Sequence, residues 1–383
     1  MQDSAIRPFE IHISDKELDD LRRRLGATRW PDKETVDDWS QGTPLAYVKD
    51  VCEYWRNDYD WRRLESTLNT YPQFLTNIEG LDIHFLHIRS PHENALPLVM
   101  THGWPGSTLE FMKVIGPLTD PTAYGGEAKD AFLVVCPSIP GYGFSDKPST
   151  VGWGVEQIAT TWATLMARLG YDKYGAQGGD WGSKIITFIG IQDPEHCVGL
   201  HTNWPIVHPD PETMDSLTPF EKTCIERFHY HQDQGSGYSR QQGTRPQSLG
   251  YGLADSPAGQ AGWILEKFQT WSDCNGHPEN VFTRDELLDN IMMYWITNAA
   301  ASSARLYWES SRTFLANTAP VGIPSGFSLF PKEIFSISRR WAEKRFTNIV
   351  YWNDKIERGG HFAAFEQPEI FVEEVRKCFR LMR

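Results

Sequence analysis

Two short, wholly apolar runs, residues 96–100 (Leu-Pro-Leu-Val-Met) and 132–136 (Phe-Leu-Val-Val-Cys), limit what this chain can become. Runs of that length without polar alternation belong to strands buried on both faces, the condition of a parallel sheet. Helical patterns follow them. The clearest puts Ile158, Trp162, Leu165, Met166 and Leu169 on one face, with Gly170 to end the helix. Strand alternating with helix predicts an α/β fold, a mostly parallel sheet flanked by helices. Ahead of it, residues 74–78 and 81–88 alternate with period two around Glu79-Gly80, the pattern of a hairpin.

The ends and the middle of the chain read differently. Ser14-Asp15-Lys16-Glu17 is a capping box, followed by Leu18, Leu21 and Leu25 at helical spacing and closed by Gly26. A second helix is expected near residues 45–55, and many aromatics but little strand pattern suggest that this part wraps around another. Past Pro205, Pro209 and Pro211 the chain turns helical: Thr218-Pro219-Phe220-Glu221 opens a helix, and helices are expected over 262–271 and 285–310. Residues 233–242, rich in Gly, Gln and Ser, read as a loop. Strand character returns at 321–328 and 347–352, and 369–381 forms a closing helix. The expected division is an N-terminal meander (1–80), a core in two parts (81–205 and 319–383), and a helical insert (206–318). An insert there covers the strand ends, where open α/β sheets bind ligands.

With 15 Trp, 14 Tyr and 20 Phe in 383 residues, disorder is excluded. The net charge of −13 argues against a general nucleic-acid binder. Cys52, Cys136, Cys197, Cys224, Cys274 and Cys378 are scattered, without a Cys-x-x-Cys pair. They read as free thiols in a reducing cytoplasm and not as disulfides or a zinc site. The polar start Met1-Gln2-Asp3-Ser4 has no leader character, and no run of about 18 apolar residues predicts a membrane span.

The chemistry gathers around Gly178-Gly179-Asp180-Trp181-Gly182. This is Gly-x-nucleophile-x-Gly with Asp at the centre, and small residues two before and two after suit a sharp strand-to-helix turn. A carboxylate lifted on such a turn forms an alkyl ester, which suits opening a strained or activated C–X bond. His102-Gly103-Trp104-Pro105-Gly106, directly after the run 96–100, can aim the Trp104 N–H at that carboxylate; the Trp181 N–H would be the second donor of an oxyanion hole. Among 12 histidines His361 stands apart, the last in the chain and set in a Gly-Gly-His loop before the closing helix. The order nucleophile, acid, base requires a histidine there. Glu333, 28 residues ahead of it, fits the acid, with Asp354 and the more remote Asp210 as alternatives.

Taken together, His-Gly-Trp-Pro, Gly-Gly-Asp-Trp-Gly, Phe-Pro-x-Glu (330–333) and Arg-Gly-Gly-His-Phe-Ala-Ala-Phe-Glu (358–366) resemble the microsomal-type epoxide hydrolases of the α/β-hydrolase superfamily. The stretch from Arg7-Pro8-Phe9 to Thr28-Arg29-Trp30-Pro31 is similar to that family's meander, so the likeness covers essentially the whole chain. The mammalian hydrophobic anchor is missing here, which aligns the chain with soluble, microbial members. The resemblance implies two lid tyrosines that hold the epoxide oxygen: Tyr307 in Arg305-Leu306-Tyr307-Trp308, and Tyr238 in Gly237-Tyr238-Ser239, with Tyr230 as a nearby rival. It implies a hydrophobic epoxide and water as reactants, no metal or cofactor, and a homodimer. Haloalkane dehalogenation, which shares the Asp nucleophile and His base, and a catalytically idle ligand-binding hydrolase fold are the alternatives.

Overall fold

The computed structural model describes residues 4–310 and 317–383, so part of the expected insert, 311–316, lies outside the described residues. Its sheet is built from β1 (Ile6–Pro8), β2 (Gln73–Ile78), β3 (Leu81–Ile88), β4 (Leu96–Thr101), β5 (Phe132–Pro137), β6 (Tyr174–Gly178), β7 (Cys197–Thr202), β8 (Ser325–Ser328) and β9 (Ile349–Asn353). The spatial order is β1-β2-β3-β5-β4-β6-β7-β8-β9. The β1, β2, β3 and β5 pairings are antiparallel, and every pairing from β5–β4 to β8–β9 is parallel. The chain leaves β4 for β5 on one side and returns to β6 on the other. That reversal makes the carboxyl ends of β4 and β6 the switch point, where such sheets bind ligands.

The apolar runs fill both faces of the sheet. Leu98, Met100, Val134 and Cys136 point into one layer with Phe371, Val375 and Phe379 of the helix Pro368–Phe379. Val99 and Val135 alternate into the opposite layer, with Ile158, Trp162 and Leu165 of the helix Val155–Arg168. Each fully buried side chain of this size stabilises the fold by about 1.5–3 kcal/mol. That is why both faces must be apolar at once.

The N-terminal part wraps around the helical insert as well as the sheet edge. Tyr59 Oη donates to Asp289 Oδ1 at 2.6 Å, Arg63 pairs with the same carboxylate at 2.6 Å, and Thr43 Oγ1 donates to the Gly262 carbonyl at 2.9 Å. It also supplies β1 at the sheet edge, a strand the sequence did not signal.

Two expectations within the insert need correction. Residues 233–242, read as a loop, form a π-helical turn over His231–Gly235 and then the helix Gly237–Thr244. Its glycines lower intrinsic helix propensity, but packing against the helix Ala300–Ser310 overrides that cost. The stretch 285–310 is two helices, Arg284–Trp295 and Ala300–Ser310, parted where Asn298 takes φ +51°. The second helix packs on the helices Pro246–Asp255 and Gly237–Thr244, and its Tyr307 ring meets Trp181 at 4.6 Å.

Candidate active site

β6 ends at Gly178 and the helix Trp181–Gln192 starts with Asp180 as its N-cap. Asp180 takes φ +49° and ψ −122°, a conformation that costs a side-chain-bearing residue about 1–3 kcal/mol. The turn closes only because Gly182 carries no side chain: a Cβ there would lie 2.0 Å from the Thr101 carbonyl oxygen. The expected sharp turn is therefore present, and Asp180 stands at its tip. One carboxylate oxygen, Oδ1, accepts from the Trp104 N–H at 2.8 Å. The Trp181 N–H, expected as the second donor, makes no hydrogen bond to this carboxylate.

Helix Arg284–Trp295 holds the donor loop. Asn290 Nδ2 donates to the Pro105 carbonyl at 2.7 Å and Tyr294 Oη to the Gly106 carbonyl at 2.7 Å.

His361 approaches from the carboxyl side of β9. Its Nε2 lies 3.4 Å from Asp180 Oδ2, and its Nδ1 lies 2.5 Å from Glu333 Oε1. Glu333 follows β8, where the acid was expected. Burial alone would depress the His361 pKa, but the Glu333 and Asp180 carboxylates outweigh it and hold the imidazolium well above the usual value. Burial likewise opposes ionisation of Asp180; His361, the Lys184 ammonium and the Trp104 N–H overcome it and keep that carboxyl below its usual range. The alternative acids are elsewhere. Asp354 is exposed beside Lys355, and Asp210 caps the turn Pro211–Ser216 and pairs with Lys344 at 3.0 Å.

Above Asp180 a cavity of about 380 Å³ is lined by Asp180, Trp181, Tyr238, Tyr307, Phe228 and Phe335, among others. Tyr238 and Tyr307 are 6% and 5% exposed, whereas the rival Tyr230 is 67% exposed. The two phenol rings lie 5.8 Å apart, and both pack on Trp104, at 5.1 and 5.9 Å. Burial, with the neighbouring phenol and the Asp180 charge adding to it, raises the Tyr307 pKa well above the usual phenol value, and burial with the Asp180 charge does the same to Tyr238. The Tyr307 hydroxyl and the Trp181 indole N–H are buried with no hydrogen-bond partner among the described residues. Unpaired polar groups of this kind on a cavity wall are suited to a ligand oxygen. Among the described residues no group of three or more His, Cys, Asp and Glu could hold a metal ion.

This geometry has counterparts. Residues 6–111 match the family described as "Epoxide hydrolase N terminus", and residues 97–244 match "alpha/beta hydrolase fold". Epoxide hydrolase 1 of Sus scrofa is 39% identical, over 100% of this chain and 90% of that protein. A Stigmatella aurantiaca protein provisionally named an epoxide hydrolase is 53% identical, over 99% of this chain and 86% of that one. The chain belongs to the epoxide hydrolase family. The solved Aspergillus niger epoxide hydrolase superimposes with a TM-score of 0.89 at 30% identity, covering 100% of this chain and 98% of that one.

Several groups that brace this epoxide hydrolase site carry no motif. Asn203, just past β7, donates to Glu333 Oε2 at 3.3 Å and to the His361 carbonyl at 3.4 Å. Arg227, on the lid helix Pro219–Tyr230, donates to the carbonyls of Pro331 and Glu333 and so fixes the Glu333 turn from outside the core. Glu366, at the end of the His361 motif, accepts from the Phe362 and Asp273 N–H groups at 3.0 and 2.8 Å, tying the His361 loop to the lid. Lys184 lies one helical turn past Asp180 on the cavity wall, where burial lowers its pKa to about 8. For Asn290 a signal existed: an amide at the head of the apolar run Ile291-Met292-Met293-Tyr294-Trp295 asks for a buried partner.

Proposed function

We propose that this protein hydrolyses a hydrophobic epoxide to a vicinal diol through a covalent ester on Asp180. The observation that carries the proposal is the position of Asp180, with His361 Nε2 3.4 Å away and the phenols of Tyr238 and Tyr307 across one apolar cavity. An epoxide in that cavity accepts hydrogen bonds from the phenols while Asp180 Oδ2 attacks a ring carbon. The C–O bond of the ring breaks, and a phenol delivers its proton to the alkoxide. Asp180 is now a neutral ester, so His361 has lost one of the two carboxylates that held its proton. Its pKa falls, the proton restores the tyrosinate, and the free imidazole becomes a base. Water then attacks the Asp180 carbonyl carbon, giving a proton to His361, and the Trp104 N–H holds the oxyanion. As a hydrogen bond acceptor for the imidazolium, Glu333 keeps Nε2 pointed at the reaction. Collapse releases the diol, which takes the His361 proton, and the new Asp180 acid ionises onto the base.

A haloalkane would use the same Asp180 and His361 but leave both phenols without a leaving oxygen to protonate. Two acids facing one cavity therefore favour the epoxide. An idle binding fold has no use for a strained Asp180 turn. A reducing cytoplasm is supported by the six thiols, all unpaired and buried; the homodimer rests on the family resemblance, and sedimentation of the purified chain tests it.

The test of the mechanism is His361→Gln mixed with styrene oxide. Intact-protein mass spectrometry is expected to show a stable adduct of one epoxide, located to Asp180 by peptide mapping. Steady diol release by this variant with no adduct overturns the covalent route.

A further inference from the structure

His361 does not line the lid cavity at all. It lines a second, much smaller space of about 10 Å³, together with Asp180, Glu110, Gln177 and Asn203 and with no residue of the helical insert. That is close to the roughly 10–15 Å³ that one water molecule needs. Gln177, on β6, is 1% exposed, and its buried Oε1 finds no donor among the described residues. Glu110 reaches the same space from the donor loop, and only glycine at position 106 permits this: a Cβ there would lie 1.4 Å from Glu110 Oε1.

We propose that this space seats the water that hydrolyses the Asp180 ester, and that Gln177 and Glu110 are its positioning residues. The inference rests on the covalent route above. Once the epoxide has opened, its alkyl chain fills the lid cavity, so water arriving from that side is shut out. A water on the other side is next to both the base and the ester carbon. Its hydrogen-bonding capacity is then fully allotted. One O–H donates to His361 Nε2, the other to Gln177 Oε1, one lone pair accepts from the Glu110 acid, and the remaining pair faces the Asp180 carbonyl carbon. Burial pushes the Glu110 carboxyl up to about 8 against the pull of His361, so at neutral pH it is the neutral acid that this arrangement requires. A neutral acid also adds no negative charge beside the forming oxyanion. In the step itself the water oxygen bonds to the carbonyl carbon and its proton passes to His361. The bond from that carbon to the alkyl oxygen breaks, and the leaving alkoxide takes the proton from His361.

The test separates the two half-reactions in single turnovers of the full chain with styrene oxide, following adduct mass by rapid quench. Gln177→Leu and Glu110→Leu are expected to alkylate at close to the wild-type rate. Each should hydrolyse the ester at least roughly tenfold more slowly, the loss of one well-placed hydrogen bond, so that adduct accumulates. Glu110→Gln, whose amide still donates, is expected to lose less than Glu110→Leu. The alkylation rate doubles as a check that each variant is folded, and Gln177→Met and Glu110→Met carry the same expectation should a leucine not be accommodated. Wild-type hydrolysis in variants that alkylate normally overturns the water seat, and so does an equal slowing of both steps. If His361→Gln traps no adduct, the covalent route itself fails, a different outcome from a trapped adduct with normal hydrolysis in the leucine variants.

Discussion

The two halves of the active site are held by opposite physics. On the sheet side every group of the proposed chemistry is tied: Asp180 to the Trp104 N–H at 2.8 Å, His361 to Glu333 at 2.5 Å, the Glu333 carboxylate to Asn203 and its turn to Arg227. On the lid side Tyr238 and Tyr307 are fixed by ring packing on Trp104, and the Tyr307 hydroxyl has no partner among the described residues. Charge is managed accordingly. The sheet side stabilises ions, with Asp180 lowered and His361 raised, whereas the lid side keeps phenols neutral by burying them. A nucleophile and base need fixed direction, which hydrogen bonds give. In the proposed chemistry the proton donor keeps its hydroxyl for the substrate, which fits a Tyr307 held by ring packing.

The comparison breaks first at Asp180. Asp180→Asn should lower turnover by on the order of 10⁴-fold or more, as for removal of a triad member. Turnover near wild type without reversion of the amide to Asp would remove the nucleophile from the sheet side altogether.

Tyr307→Phe tests the lid side and should split function from stability. Alkylation is expected to slow by roughly 10²-fold, one share of a general-acid effect, with ester hydrolysis little changed. Because the deleted hydroxyl is buried and unpaired, thermal or urea unfolding should show the variant as stable as the parent or more so by about 1 kcal/mol. A clear loss of stability would mean the hydroxyl is paired in solution and that the two halves are held alike.

The smallest effect concerns how the lid is pinned to the core. Burial raises the Glu221 pKa, but Arg340, at 2.5 Å, with Ser338 and the helix-capping Thr218, brings it from 4.5 down to about 2. A depressed carboxylate contributes stability that is present above 4.5 and lost as pH falls from 4.5 through about 2. Glu221→Gln should therefore flatten the acid limb of a stability–pH curve and leave its neutral region lower. An unchanged acid limb would show that the lid is pinned by packing alone.

The sheet side was the legible half of the molecule. Residues 96–100 and 132–136 are apolar because both faces of β4 and β5 are covered, and the Asp180 turn needs glycine where Thr101 comes within contact. Such constraints act on each residue in place, so they show as local pattern. The lid was misread where the constraint came from a neighbour. Residues 233–242 have the composition of a loop and become helical only against the helix Ala300–Ser310. The choice of Tyr238 over Tyr230 was likewise beyond the residues themselves, since both are tyrosines on helical segments and only burial separates them.

Sequence by itself determined the alternation that makes a parallel sheet and the strained turn bearing Asp180. Each follows from short-range sterics or from the burial pattern of a single element. Only the tertiary structure decided which phenols face Asp180, that Asn203, Asn290 and Arg227 brace the reacting loops, and that His361 opens onto a space apart from the lid cavity. Those are meetings between residues distant along the chain, set by how helices pack over strand ends.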